Sequence, residues 1–208
     1  MRTEYSNWRK LDNAALAFPL VTGENDTRVF RFYCQLKEEV DSDILQQALD
    51  RTMEKYPLFQ AVLRKGLFWF YLEHSDIRAL VKPETEPPCS RLYIPDKKSL
   101  LFQVSYYKER INFEVFHALT DGTGAMHFLQ ELVQNYLILA HPKENFPEIG
   151  SEKKTGRGNI AEDSFSQYYS SDIPKNREKK KAAVKLKGEK LVHSDMHITE
   201  VVLSVKDI

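Results

Sequence analysis

The sequence predicts an α/β fold, a two-layer sandwich in which a mixed, mostly antiparallel sheet carries its helices on one side. Three observations predict it. Short runs rich in aromatics and Val show period-2 patterning and occur as hairpin-like pairs. Two longer segments carry apolar residues at helical spacing. The order strand, helix, hairpin, hairpin, helix then favours sheet-on-helix packing. With 208 residues, 12 Phe and 10 Tyr, the chain can bury the core of one domain or slightly more.

The elements follow in order. Arg28 to Lys37, RVFRFYCQLK, alternates as a strand does. In the next segment Asp41 or Ser42 caps a helix whose stripe is Ile44, Leu45, Ala48, Leu49 and Met53, and Pro57 stops it. Phe59 to Leu63 and Gly66 to Glu73 read as a hairpin around Arg64-Lys65-Gly66, with Phe68 to Tyr71 as a strand buried on both faces. Lys82 to Lys98, rich in Pro, Glu and Lys, reads as a surface loop with at most a short edge strand. Leu100 to Tyr107 and Ile111 to Phe116 form a second hairpin turning at Lys108-Glu109-Arg110. A helix of about Gly124 to Ala140 follows, with Met126, Leu129, Leu132, Val133, Tyr136 and Leu137 on one face and Pro142 after its end. Residues 143–189 lack apolar periodicity and include the basic run NREKKKAAVKLK, which marks a solvated linker more readily than a membrane-surface or anionic-partner segment. Residues 190–208 alternate again and read as the start of a second, truncated subdomain. The expected division is thus 1–142, 143–189 and 190–208.

Composition excludes several classes. Lys+Arg and Asp+Glu are equal at 30 each, so no basic excess points to nucleic acid. Cys34 and Cys89 lie far apart with no CxxC spacing, which argues against a disulfide framework and a cysteine-rich zinc site. No glycine-rich turn follows the first strand, so a dinucleotide or P-loop site is unsupported. The N-terminus lacks a signal-peptide core, and the longest apolar run, Leu67 to Leu72, is too short to cross a bilayer. The expectation is a cytoplasmic protein with no transmembrane segment, although a peripheral membrane protein shares these features.

Chemistry concentrates in INFEVFHALTDGTGAM, Ile111 to Met126. An apolar strand runs into His117, and four residues later Asp121-Gly122 opens a helix. A general base needs a fixed backbone and an accessible side chain, and a strand end offers both. Imidazole titrates near neutral pH, so it can take a proton and return it. Asp121 either caps the helix or pairs with an arginine, and either role fixes the turn. Gly122 and Gly124 allow backbone angles or close approaches denied to other residues. Thr120 and Thr123 flank the motif as candidates to line a substrate. By spacing alone, a helix N-cap with turn glycines beside an ordinary histidine has the same pattern.

The segment resembles the HHxxxDG motif of the chloramphenicol-acetyltransferase-like and condensation-domain superfamily. The nearest likeness is to its bacterial alcohol-acetyltransferase-like group. WRKLDNAALAFP (Trp8 to Pro19) resembles the opening of that group, and EKYPLFQAVLRKGLFWFYLE (Glu54 to Glu73) resembles its hairpin. HALTDGTGAMHFLQELVQNYL (His117 to Leu137) resembles its catalytic loop and following helix. The likeness runs in order over most of residues 4–141. It implies the N-terminal subdomain of a two-subdomain acyltransferase. His117 falls on the catalytic base, and Asp121 and Gly122 fall on the structural residues of the motif. The base would deprotonate an alcohol or amine acceptor, which attacks an acyl thioester of coenzyme A or a carrier protein. That thioester is a co-substrate, and no bound cofactor is implied. The first His of the doubled motif is Phe116 here. The position after Pro57-Leu58-Phe59, often the arginine partner of the motif Asp, is Gln60. Arg64 or another arginine then takes that partnership, or Asp121 serves only as a cap.

Members of the superfamily are roughly twice as long, and their second half supplies part of the donor tunnel. The resemblance therefore implies a C-terminal half or a second copy of the chain as partner. The competing reading is a non-catalytic binding or assembly module, and a hydrolase lacks any G-x-S-x-G elbow in support. His193 and His197 have the i, i+4 spacing of a helical zinc pair, but their segment alternates like a strand and offers no third ligand, so no metal is expected.

Overall fold

Alternation along Arg110–Phe116 sends Ile111, Phe113 and Val115 to one side of a sheet and Arg110, Asn112 and Glu114 to the other, and the architecture follows from that division. The computed structural model describes residues 8–12, 14–24, 26–146 and 204. The chain divides into two compact units, 1–169 and 170–208, and every element below belongs to the first. The elements are β1 (Trp8–Lys10), α1 (Ala17–Val21), β2 (Val29–Gln35), α2 (Ser42–Lys55), β3 (Ala61–Lys65), β4 (Phe70–His74), β5 (Lys82–Pro83), β6 (Phe102–Tyr107), β7 (Arg110–Phe116) and α3 (Gly122–Ala140). A 3₁₀ turn, Pro57–Phe59, joins α2 to β3.

The fold is α/β as expected, with its strands divided between two sheets. One has the order β1-β4-β3 and is antiparallel throughout. The other has the order β2-β7-β6-β5, antiparallel except for the short β5–β6 pair. Both predicted hairpins form.

The core lies where the apolar side of β7 meets α3. Phe128 stacks on Phe113 with ring centroids 4.6 Å apart and on Phe59 at 4.5 Å. Leu45, Ala48 and Leu49 of α2 are fully buried in the same cluster. Asp41 provides the α2 cap, its Oδ1 accepting from the N–H groups of Asp43 (2.9 Å) and Ile44 (3.0 Å). The Asp41 N–H donates to the Tyr136 hydroxyl at 2.9 Å, which ties the start of α2 to α3.

Helix α3 begins at Gly122, and its buried face is Ala125, Phe128, Leu129, Leu132 and Tyr136. Met126, expected on that face, is exposed. A larger correction concerns the first hairpin. Its turn is Gly66 to Trp69, closed by the Gly66 N–H donating to the Trp69 carbonyl at 2.7 Å. Phe68 and Trp69 therefore do not lie in a buried strand: Leu67 is 94%, Phe68 87% and Trp69 54% exposed.

The loop after β5 covers the polar side of the second sheet. Glu114, only 2% exposed, pairs with Arg31 (Nη2 to Oε1, 2.9 Å) and accepts from the Cys89 N–H at 2.5 Å. Glu84 binds Arg31 at 2.5 Å and Arg110 at 2.9 Å. A buried carboxylate is tolerable only when its charge and lone pairs are met in this way. Tyr93 of the same loop stacks on Phe116, ring centroids 5.5 Å apart. Except for 143–146 and Ser204, the expected linker and second subdomain lie outside the described residues.

Candidate active site

His117 is the first residue beyond β7. Its N–H donates to the Arg28 carbonyl at 2.9 Å, which extends the β2–β7 pairing by one step and fixes the backbone. The half-buried ring lies parallel to Phe18, centroids 4.3 Å apart at 10°, and tilted against Phe30 at 4.9 Å. Two aromatic neighbours restrict an imidazole to a narrow range of orientations. Its Nδ1 is buried and has no hydrogen-bond partner among the described residues.

The rest of the motif is ordered by the helix start. Asp121 is the N-cap of α3, its Oδ1 accepting from the Gly124 N–H at 2.8 Å. It forms no ion pair with an arginine among the described residues. Arg64 is committed to Glu73 at 2.6 Å, and the Gln60 amide donates to the Ile77 carbonyl. Of the two readings of Asp121, the cap is the one observed.

The glycine under steric demand is Gly124. A Cβ there would stand 2.1 Å from Thr120 Oγ1, whereas one on Gly122 meets only Phe32 Cζ at 3.9 Å. Thr120 thus packs against the first turn of α3, while Thr123 is exposed. His117 and Thr120 to Gly124 share one turn, but only His117 has the aromatic slot. Phe18 and Phe30 were not singled out from sequence. Phe18 sits 99 positions before His117, and no spacing rule joins a helical Pro-Leu neighbour to a distant strand end.

Other charged or ligating groups lie elsewhere. Glu73, at the sheet β1-β4-β3, is lowered below the usual carboxylate range by the hydrogen bond from Arg64. Burial raises the thiols of Cys34 and Cys89. His74 and His127 are exposed, and His141 caps α3 and contacts Glu38 at 2.7 Å. His193 and His197 lie outside the described residues. No described helix is long and apolar enough to cross a membrane.

No family model matches the chain. No curated protein matches it either. Solved structures do. The starter condensation domain of the rhizomide synthetase RzmA is similar with a TM-score of 0.57 at 12% identity, covering 79% of this chain and 45% of that one. The polyketide synthase associated protein 5 from Mycobacterium tuberculosis gives 0.51 at 20% identity, covering 67% and 35%. The X-domain in complex with OxyB from teicoplanin biosynthesis gives 0.53 at 13% identity, covering 70% and 36%. The chain spans less than half the length of each of these structures. At such identities the likeness is one of fold, and the described residues adopt a condensation-domain-like α/β fold.

Proposed function

We propose that this chain contributes the general base of an acyl transfer from a thioester to an alcohol or amine. His117 takes the proton from the acceptor hydroxyl or amine as its oxygen or nitrogen attacks the thioester carbonyl carbon. A tetrahedral oxyanion forms, the carbon–sulfur bond breaks, and the thiol of coenzyme A or a carrier protein leaves with the proton returned by His117. The acceptor is a small molecule. Asp121 and Gly124 hold the turn, and Thr120 and Thr123 are the residues we assign to line the substrate.

The observation that carries this reading is the placement of His117 at a strand end in a condensation-domain-like fold, its backbone pinned and its ring gripped by Phe18 and Phe30. A solved RzmA starter domain similar to this chain (TM-score 0.54, 12% identity) is in complex with C8-CoA, which supports a thioester donor. The match covers less than half of each of these solved structures, and we place oxyanion stabilisation and most of the donor tunnel on a complementary half. The proton accounting points the same way. For Nε2 to act as base, the neutral ring must carry its proton on Nδ1, and a buried unpaired N–H costs about 1–3 kcal/mol. The assembled site is expected to bring an acceptor to Nδ1.

The test is thioester consumption by the complete polypeptide, or by the chain reconstituted with its complementary half, compared with His117→Ala. Loss of a general base is expected to lower kcat by about 10²–10⁴-fold with the fold intact by circular dichroism. Equal rates would remove the assignment.

A second reading, a non-catalytic binding or assembly module, draws on the similar X-domain, which is seen in complex with OxyB. Turnover of acyl-CoA by the complete polypeptide argues against it.

A further inference from the structure

Among the described large apolar residues, Leu67 and Phe68 are the two most exposed, and Trp69 follows them directly. Their projection is built into the hairpin. The turn is closed by the Gly66–Trp69 hydrogen bond, and a Cβ on Gly66 would lie 3.1 Å from the Trp69 carbonyl oxygen. The three side chains thus form a short convex crest at the end of β3 and β4, held by backbone geometry.

The sheet face behind the crest has matching chemistry. Strand register puts Arg64, Tyr71 and Lys10 side by side on one face, with Glu73 opposite Trp8 one step further. Trp8 meets Tyr71 edge-on at 6.3 Å. Beside them is an open hollow of about 330 Å³ whose lining includes Arg64, Lys65, Tyr71, Tyr93 and Lys97. Two carboxylates border it. Glu73 is neutralised by Arg64 at 2.6 Å, and Asp96 is exposed next to Lys97 and Lys98. Lys10, Lys65, Lys97 and Lys98 are all exposed.

We propose that this face docks on an anionic phospholipid surface. Leu67, Phe68 and Trp69 enter the boundary between headgroups and acyl chains. Lys65, Lys97 and Lys10 meet headgroup phosphates, and Trp8 and Tyr71 lie at headgroup level. Size favours a membrane over a protein partner. A stable protein interface needs roughly 800 Å² on each side, more than a three-residue crest supplies. A lipid surface accepts a small convex apolar tip, favours Trp at its interface, and adds attraction for each nearby lysine. Binding of this kind is peripheral and needs no membrane-spanning helix. The inference does not depend on the catalytic reading of His117.

The experiment is flotation of the full chain with vesicles of phosphatidylcholine alone and of phosphatidylcholine mixed equally with phosphatidylglycerol. Wild type is expected to partition onto the mixed vesicles at least tenfold more than onto phosphatidylcholine. The L67S/F68S double variant, folded by circular dichroism, is expected to lose at least tenfold of that binding. It keeps the basic run 176–187, so adsorption through that run is constant. K65E/K97E is expected to bind mixed vesicles several-fold less than wild type, with only the preference due to the run 176–187 remaining. The chain has two tryptophans, so W8F isolates Trp69, whose emission should shift to shorter wavelength with mixed vesicles. The proposal is overturned if wild type ignores anionic vesicles, or if L67S/F68S binds as wild type does. It is also overturned if the crest instead drives a vesicle-independent self-association that the double variant abolishes.

Discussion

Gly124 and Thr120 meet within the turn that follows His117, and their contact sets what that turn tolerates. A Cβ at 124 would stand 2.1 Å from Thr120 Oγ1, so Gly124→Ala is expected to cost about 1–3 kcal/mol even though alanine favours helix. Thr120→Ala should recover most of that loss, and Gly122→Ala should be neutral or mildly stabilising. Denaturant unfolding of the single and double variants reads the coupling directly. Asp121 is expected to behave as a cap: Asp121→Ala costs about 0.5–2 kcal/mol, while Asp121→Asn keeps most of the stability because asparagine caps equally well. A charge partner of arginine would not survive that second change. Glu84 gives a pH signature. Burial pushes its carboxyl up, but hydrogen bonds from Arg31 and Arg110 outweigh this and leave it below the ordinary glutamate value. A carboxyl lowered in the folded state adds stability above its unfolded value, about 4.3. That contribution is lost as pH falls through the folded value. Glu84→Gln should therefore flatten the acid side of the stability curve below about pH 4, measured by thermal unfolding across pH.

Helix α3 is the element on which both sheet packing and the site depend. Phe128 stacks on Phe113 and Phe59 and also touches Phe102 at 5.5 Å, so Phe128→Ala should cost about 3–5 kcal/mol in denaturant unfolding. Most elements were legible from sequence because period and punctuation agreed. Asp41 and Pro57 bracket α2, and Lys108-Glu109 separates two alternating strands. The failures have physical causes. LFWFYL is apolar throughout, and composition alone cannot tell the tip of a turn from a buried strand; the closing Gly66–Trp69 bond decides it. Met126 is three residues before Leu129 but lies at the edge of the buried stripe, which is centred on Ala125, Phe128 and Leu132 and so leaves Met126 exposed. In the site, the position of His117 at a strand end was readable, whereas for Asp121 the sequence left the cap and an arginine pair open and the Gly124 N–H contact decides for the cap. Phe18 and Phe30 were not readable, because their meeting with His117 depends on tertiary packing that no local pattern encodes.

At the scale of the whole molecule, the described unit has the architecture of a condensation-domain-like fold while spanning less than half the length of the solved structures it resembles. The proposed reading, in which a complementary half completes the site, accounts for a His117 that is held by its backbone and two aromatic rings and yet has no partner for Nδ1 among the described residues. The account predicts that the complete protein gains both a donor tunnel and an acceptor for that nitrogen. The measurement that bears on this most directly is a crystal structure of the complete polypeptide with an unreactive acyl-CoA analogue and an alcohol acceptor bound. The predicted result is the acceptor oxygen within about 3.2 Å of His117 Nε2, with the thioester carbonyl carbon in line for attack. An acceptor bound away from the imidazole, or a ring left sealed between Phe18 and Phe30 with both substrates present, would contradict it.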